Sequence, residues 1–162
     1  TVTDANGCTV VTNITVAEPT LLTSNATPSP ALCNGAATGS VVVNAAGGTA
    51  PYTGTGTFSN LAAGSYSYTV TDANGCTSTV SATVAQPTLL TAASSSGAIA
   101  CFGGTTSVNV SGSGGTAPYS GTGSFTVGAG SYSYTVTDAN GCTVVTNITV
   151  AEPTLLDRKS DV

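Results

Sequence analysis

Apolar and polar residues alternate along most of the chain with a period of two, which is typical of β-strands. In Gly64–Thr71 the apolar side chains are Tyr66, Tyr68 and Val70, and Ser or Thr stands between them. Gly130–Thr137 has the same eight-residue sequence. No stretch has the apolar spacing of an amphipathic helix. The pattern therefore predicts an all-β protein.

Turn signals separate the predicted strands. Asp72–Gly75 ends in the Asn-Gly pair that tight hairpins favour, and Gly47–Pro51 and Ala62–Gly64 mark two further connections. Short strands between such turns favour an immunoglobulin-like β-sandwich, with a small barrel as the alternative. Leu61–Tyr68 is a candidate tyrosine corner, the bend that leads into the sixth strand of such sandwiches.

One phrase, Thr-Val-Thr-Asp-Ala-Asn-Gly-Cys, occurs three times in the chain. It stands at Thr1–Cys8, Thr69–Cys76 and Thr135–Cys142, at spacings of 68 and then 66 residues. A period of that length indicates tandem copies of one small domain. The short junction Ala85–Leu90 contains a proline and no Gly/Ser linker, so we expect the domains to form a stiff rod.

The period divides the chain into four parts. We expect complete β-sandwich repeats at 23–90 and 91–156, both near the lower size limit for independent folding. Residues 1–22 have the sequence of the last 22 residues of the second repeat, so we expect them to be the closing hairpin of a truncated repeat, cut from within an array. Residues 157–162 form a tail that does not follow the repeat.

The charge composition excludes several classes of function. Only 6% of residues are charged, and Arg158 and Lys159, the two basic residues, both lie in the tail. Without cations the repeats cannot bind nucleic acid or attach electrostatically to anionic lipid, and no apolar run is long enough for membrane insertion. There is no His and no close pair of carboxylates within a repeat, so we expect neither catalysis nor a cofactor.

Five cysteines follow the repeat. Pairing within repeats gives Cys33–Cys76 and Cys101–Cys142 and leaves Cys8 unpaired by truncation; pairing between neighbours gives Cys8–Cys33 and Cys76–Cys101 and leaves Cys142 alone. A disulfide needs Cα atoms within about 7 Å, whereas the strand after Cys8 leads away for about 36 Å. We therefore expect pairing within repeats. Disulfides place the protein outside the cytosol, and a zinc site would need histidines or CxxC pairs.

Four polar residues are expected at the junctions between domains. Asp72 and Asp138 lie on the turn where a domain begins, and Glu18 and Gln86 close the domain before it, so each pair should meet across a junction. Calcium takes 6–8 oxygens and prefers several carboxylates. Because Gln replaces Glu in alternate junctions, we expect each Asp to cap its own turn and expect no metal there. A calcium site like those between cadherin domains is the alternative.

Five separated motifs occur in the first repeat in a fixed order: Cys33–Gly35, Thr38–Val41, Gly47–Tyr52, Leu61–Tyr66 and Val70–Cys76. This order resembles the SprB repeat of very large surface adhesins of gliding bacteria in the Bacteroidetes, and the resemblance covers nearly all of the chain up to residue 156. The second repeat departs from the motif at Cys101–Gly104 and Val127–Gly130. The resemblance implies a cell-surface filament that the type IX secretion system exports and that serves adhesion or gliding.

These observations favour a structural or adhesive repeat segment of an extracellular filament, whose partners are neighbouring repeats and other copies of the chain. In a second hypothesis, the loops Pro51–Phe58 and Pro118–Phe125 bind a surface glycan or a protein. Tyr52 and Tyr119 could then stack on a sugar, although core positions fit them better. In a third hypothesis, another chain completes the hairpin Thr1–Leu22 and the chains assemble into fibres.

Overall fold

The computed structural model describes residues 1–155, and these residues contain twelve β-strands and no helix. The sequence-defined tail 157–162 lies outside the described residues. The strands are β1 (Val2–Thr3), β2 (Thr9–Val10), β3 (Thr23–Ser29), β4 (Gly39–Ala46), β5 (Gly56–Leu61), β6 (Gly64–Thr71), β7 (Thr77–Val84), β8 (Thr91–Ser96), β9 (Thr106–Ser113), β10 (Gly123–Val127), β11 (Gly130–Thr137) and β12 (Thr143–Val150).

Each repeat folds into two antiparallel sheets. The first repeat has sheets of order β3-β4-β5 and β6-β7, and the second has β10-β9-β8 and β11-β12. The first and last strands of the repeat meet where the sheets adjoin, because Ala31 N–H donates to the Ala85 carbonyl over 2.8 Å and the Ser24 and Ser78 hydroxyls are 2.8 Å apart. This arrangement confirms an all-β protein with sandwich-like domains, each of five strands.

The alternating side chains predicted from the sequence form the two cores. In the first repeat Val41, Val43 and Val70 are completely buried, and Phe58 and Tyr68 bring their ring centroids within 4.5 Å of each other. Burial of one valine side chain contributes about 1.5–3 kcal/mol to folding. The second core is built from the equivalent positions: Ile99, Val108, Val110, Val136 and Val150.

β5, the third strand of the first repeat, is one residue longer than β10, the corresponding strand of the second repeat. Val41 pairs with Phe58 but Gly39 pairs with Leu61, so an extra residue of β5 stands opposite β4. Asn60 takes a positive φ of 59° here, as a β-bulge allows. In the second repeat β9 and β10 pair without a shift from Thr106 to Val110.

The tyrosine corner is present in both repeats. The Tyr66 hydroxyl donates to the Ala62 carbonyl over 2.9 Å, and the Tyr132 hydroxyl donates to the Gly128 carbonyl over 3.1 Å. In each repeat the corner fastens the entry into the first strand of the two-stranded sheet. The prediction for Leu61–Tyr68 is thereby confirmed.

Packing begins slightly before the first residue of the predicted repeat. Leu22 is buried in the core of the first repeat, and Gly48 N–H donates to the Thr20 carbonyl over 2.8 Å. The segment before it is different, because Ile14 and Val16 are 85% and 86% exposed. Their counterparts in the second repeat lie in β12 against a core.

Candidate functional site at the repeat junction

At the end of each complete repeat where its first strand enters, an aspartate organises a hairpin turn. Asp72 Oδ1 accepts hydrogen bonds from the backbone N–H groups of Asn74 (2.9 Å) and Cys76 (2.8 Å), and Oδ2 accepts one from Thr49 N–H (2.9 Å). The carboxylate therefore connects the hairpin turn to the Gly47–Pro51 loop. Gly48 has a φ of +60°, and a Cβ on it would lie 2.8 Å from Asp72 Oδ2, so this position requires glycine.

The same turn recurs around Asp138. Its Oδ1 accepts from the backbone of Asn140 and Cys142, both at 2.9 Å, and its Oδ2 accepts from Thr116 N–H at 2.9 Å. Both aspartates are buried although neither has a cationic neighbour among the described residues. Converging N–H groups therefore take the place of water around each carboxylate.

These hydrogen bonds lower the pKa of both carboxyl groups. For Asp72 the Thr49 N–H is the main cause, and it outweighs burial, which acts in the opposite direction. For Asp138 burial raises the pKa, but the backbone N–H groups of Thr116, Cys142, Asn140 and Gly141 together outweigh it. Both groups are therefore ionised at neutral pH and cap their own turns, as expected from the sequence.

The opposite end of the repeat is formed by the loop that holds Cys33. Gly35 N–H donates to Gln86 Oε1 over 2.7 Å, and Asn34 Nδ2 donates to the Pro87 carbonyl over 3.0 Å. In the second repeat Gly103 N–H donates to Glu152 Oε2 over 2.7 Å. Gln86 thus holds a loop of its own repeat, whereas we had expected it to contact the next turn.

This loop of the first repeat touches the turn of the second. Asn140 Nδ2 donates to the Leu32 carbonyl over 2.9 Å and to Thr116 Oγ1 over 3.0 Å. A disulfide joins Cys33 to Cys142 with a Cα–Cα distance of 5.8 Å. We call this disulfide and the Asn140–Leu32 hydrogen bond together the junction clasp.

The expected pairing within repeats is therefore wrong in this structure. Cys33 pairs with the cysteine of the next repeat's turn, and Cys8, Cys76 and Cys101 are free and exposed. Cys76 stands just before β7, whereas Cys33 lies near Ala85, just beyond its end. An eight-residue strand spans about 26 Å, far more than a disulfide bridges. The other alternative, Cys8–Cys33 with Cys76–Cys101, does not form either.

The remaining candidate residues have simpler surroundings. Tyr52 and Tyr119 are partly buried against the two cores, and their hydroxyls donate to the Gly47 and Gly114 carbonyls over 2.6 Å. Glu18 is exposed. Within residues 1–155 no group of three or more His, Cys, Asp or Glu side chains could hold a metal ion, and no helix is long and apolar enough to cross a membrane.

Small β domains that occur in tandem and are joined covalently to their neighbours are typical of the repeat segments of tandem-repeat proteins. The family model of the SprB repeat matches residues 25–53, which include most of β3, all of β4, the loop between them and the loop that follows as far as Thr53. The family resemblance is thereby confirmed for this segment, and it indicates a repeat segment of a cell-surface adhesin. No curated protein and no solved structure matches the chain.

Proposed function

We propose that this chain is a tension-carrying segment of a secreted cell-surface filament that serves adhesion or gliding. The observation that carries the proposal is the junction clasp, because a disulfide between neighbouring domains transmits force from one to the next past all the residues between Cys33 and Cys142. Two further features support it: the junctions are short, and Thr, Ser, Ala and Gly are the most frequent exposed residues of the described chain.

In this function the repeats act as a spacer and have no chemistry of their own. Their partners are neighbouring repeats and other filaments, and the type IX secretion system exports the protein. Tyr52 and Tyr119, the candidates for sugar stacking, donate hydrogen bonds to their own loops and pack against the cores, which favours the stalk over a glycan-binding module. Reproducible binding on a glycan array would instead favour the glycan-binding module over the stalk.

Microscopy of cells that make the protein tests the proposal. Antibodies raised against the purified chain should label intact cells, with gold particles at a distance from the outer membrane, and should reduce attachment or gliding when added to live cells. Antibodies to a cytosolic protein serve as the control and should label only permeabilised cells. Labelling by the repeat antibodies only after permeabilisation would contradict the proposal.

A second candidate function, assembly of chains into fibres, is favoured by one observation. Three apolar side chains of the N-terminal segment, Val10, Ile14 and Val16, are 60%, 85% and 86% exposed, so they offer an uncovered apolar surface. Light scattering that rises with concentration, and that is lost in an Ile14→Ser/Val16→Ser variant, would support this function. Scattering unchanged by the two substitutions would reject it.

A further inference from the structure

The two ends of the described array carry unused copies of the groups that form the junction clasp. At the first repeat's turn, Asp72 holds Cys76 as Asp138 holds Cys142, and Asn74 Nδ2 donates to Thr49 Oγ1 over 3.0 Å as Asn140 does to Thr116. In the second repeat's turn, Asn140 also donates to the Leu32 carbonyl. The first turn therefore has the geometry of a half-site, by which we mean one cysteine-bearing side of a junction clasp.

The loop of the second repeat is the matching half-site. Gly104 N–H donates to the Cys101 carbonyl over 2.9 Å, as Ala36 N–H does to Cys33 over 3.1 Å. Glu152 supports this loop as Gln86 supports the first one. An open depression of about 370 Å³ lies beside Cys101, between Ala100–Phe102 and Pro153–Leu155. Phe102 and Leu155 in its wall are 53% and 68% exposed.

We propose that the loop cysteine of every repeat in such an array pairs with the turn cysteine of the repeat that follows. Cys101 then belongs to the half-site that pairs with a following repeat, and Cys76 belongs to the half-site that pairs with a preceding repeat. The inference rests on the proposed function only in assuming a longer array. Each pairing converts two thiols into one disulfide and releases two protons and two electrons, which a disulfide oxidant outside the cytosol accepts.

Consecutive clasps of this kind overlap along the chain. The disulfide Cys33–Cys142 encloses Cys101, from which the next clasp would start. A single backbone cut anywhere between the first and the last clasp therefore leaves the array covalently connected. Pairing within repeats would not do this, because a cut at a junction such as Ala85–Leu90 would separate the two sides.

Disulfide mapping of an extended chain tests the inference. Residues 1–156 are followed by a second copy of 23–156, which continues the natural period, and the product is oxidised with glutathione disulfide and digested before aspartates without reduction. We expect fragment 72–137 to be joined to the same fragment of the added copy. We also expect 4–71 to be joined to the fragment that begins at Asp138, which reports the clasp already seen.

Cysteine substitutions in each copy identify the partners. Cys101→Ser in the first copy should abolish the joined 72–137 pair, whereas Cys101→Ser in the added copy should leave it intact. The fragment 4–71 cross-link shows in every variant that the chain has folded. If Cys101 of the first copy stays free, or pairs with Cys76 or Cys142 of its own copy, the inference is overturned. Surface labelling of cells would be unaffected by that outcome, so the proposed function is tested separately.

Discussion

At the scale of single residues, Asp72 is a buried carboxylate that holds two loops of its repeat together. It joins the hairpin turn to the Gly47–Pro51 loop through three backbone hydrogen bonds. The local part of this role could be predicted, because aspartate two residues before Asn-Gly often accepts from its own turn. The bond from Thr49 could not, since it depends on a loop 23 residues away.

We expect Asp72→Ala to lower the thermal unfolding midpoint of the first repeat, because three N–H groups lose their acceptor in a buried position. Asp4→Ala is a matched control. Asp4 forms the same two turn bonds to Asn6 and Cys8, but it lies in an exposed segment. Calorimetry should show a clear drop for Asp72→Ala and almost none for Asp4→Ala. Equal midpoints in the two variants would contradict the assigned role.

The lowered pKa values of Asp72 and Asp138 predict the acid response. Their unfolded pKa is about 3.9, and the folded pKa lies below it, so the unfolded chain takes up protons first as the pH falls. The stabilisation is complete above the unfolded pKa and is lost as the pH falls through the folded pKa. We expect the midpoint to decline below about pH 4.

The pH profile has a direct control. The double variant Asp72→Asn/Asp138→Asn lacks both titrating groups and should show a flatter decline of the unfolding midpoint with acid. Asp4→Asn should keep the parent profile. A double variant whose midpoint falls as steeply as that of the parent would show that other groups cause the acid response.

Loss of the side-chain hydroxyl should change the stability of the first repeat differently at two tyrosines of β6. Tyr66→Phe removes the tyrosine-corner hydrogen bond to Ala62 and should cost about 1 kcal/mol. The Tyr68 hydroxyl is buried and has no hydrogen-bond partner in the described structure, so Tyr68→Phe should be neutral or stabilising. Denaturant unfolding measures both. A loss of stability in Tyr68→Phe as large as that in Tyr66→Phe would contradict the assignment.

At the scale of strands, alternation predicted the elements that carry valine and tyrosine. β4, β6 and β12 lie where Val41, Tyr66 and Val150 alternate with polar residues. The pattern did not give bounds for β3, because Thr23–Ser29 faces the core mainly with small side chains such as Ala26. Nor did it predict the bulge at Asn60, because a bulge is a property of two strands in register and not of one sequence.

The repeated sequence provides a matched pair of positions for strand packing. Val150 is 3% exposed in β12, whereas Val16 has the same neighbours in sequence and is 86% exposed. Val150→Ala should destabilise the second repeat by about 2 kcal/mol, through lost apolar burial and a residual cavity. Val16→Ala should change its stability by less than about 0.5 kcal/mol. Equal effects in urea unfolding would show that residues 9–16 also pack against a core.

At the scale of the whole molecule, the pairing of cysteines was the feature that the sequence did not reveal. The strand-length argument that excluded Cys8–Cys33 also excludes Cys33–Cys76, because in both cases a full strand separates the ends that carry the two cysteines. The partner, Cys142, is 109 residues from Cys33 in sequence. Its proximity follows only from the head-to-tail stacking of two folded repeats, which no local pattern encodes.

The junction clasp makes a prediction about extension under force. When the oxidised chain is pulled from its two ends, the disulfide carries the load past the residues between Cys33 and Cys142. Their contour length, about 360–390 Å for a separation of 109 residues, should stay hidden even when strands outside the clasp detach. Reduction should release this length, as measured by single-molecule force spectroscopy.

Two cysteine variants make the force experiment specific to the junction. Cys142→Ser should release the hidden length without reductant, because the force then passes through both cores and unfolds them in turn. Cys101→Ser removes a thiol that takes no part in the clasp, so this variant should extend like the oxidised parent chain. If the parent released the full length before reduction, the clasp would not carry the load and the filament would stretch by unfolding its domains. If instead the length is released only by reduction or by Cys142→Ser, the filament is an almost inextensible stalk, in which tension reaches the cell surface through covalent bonds.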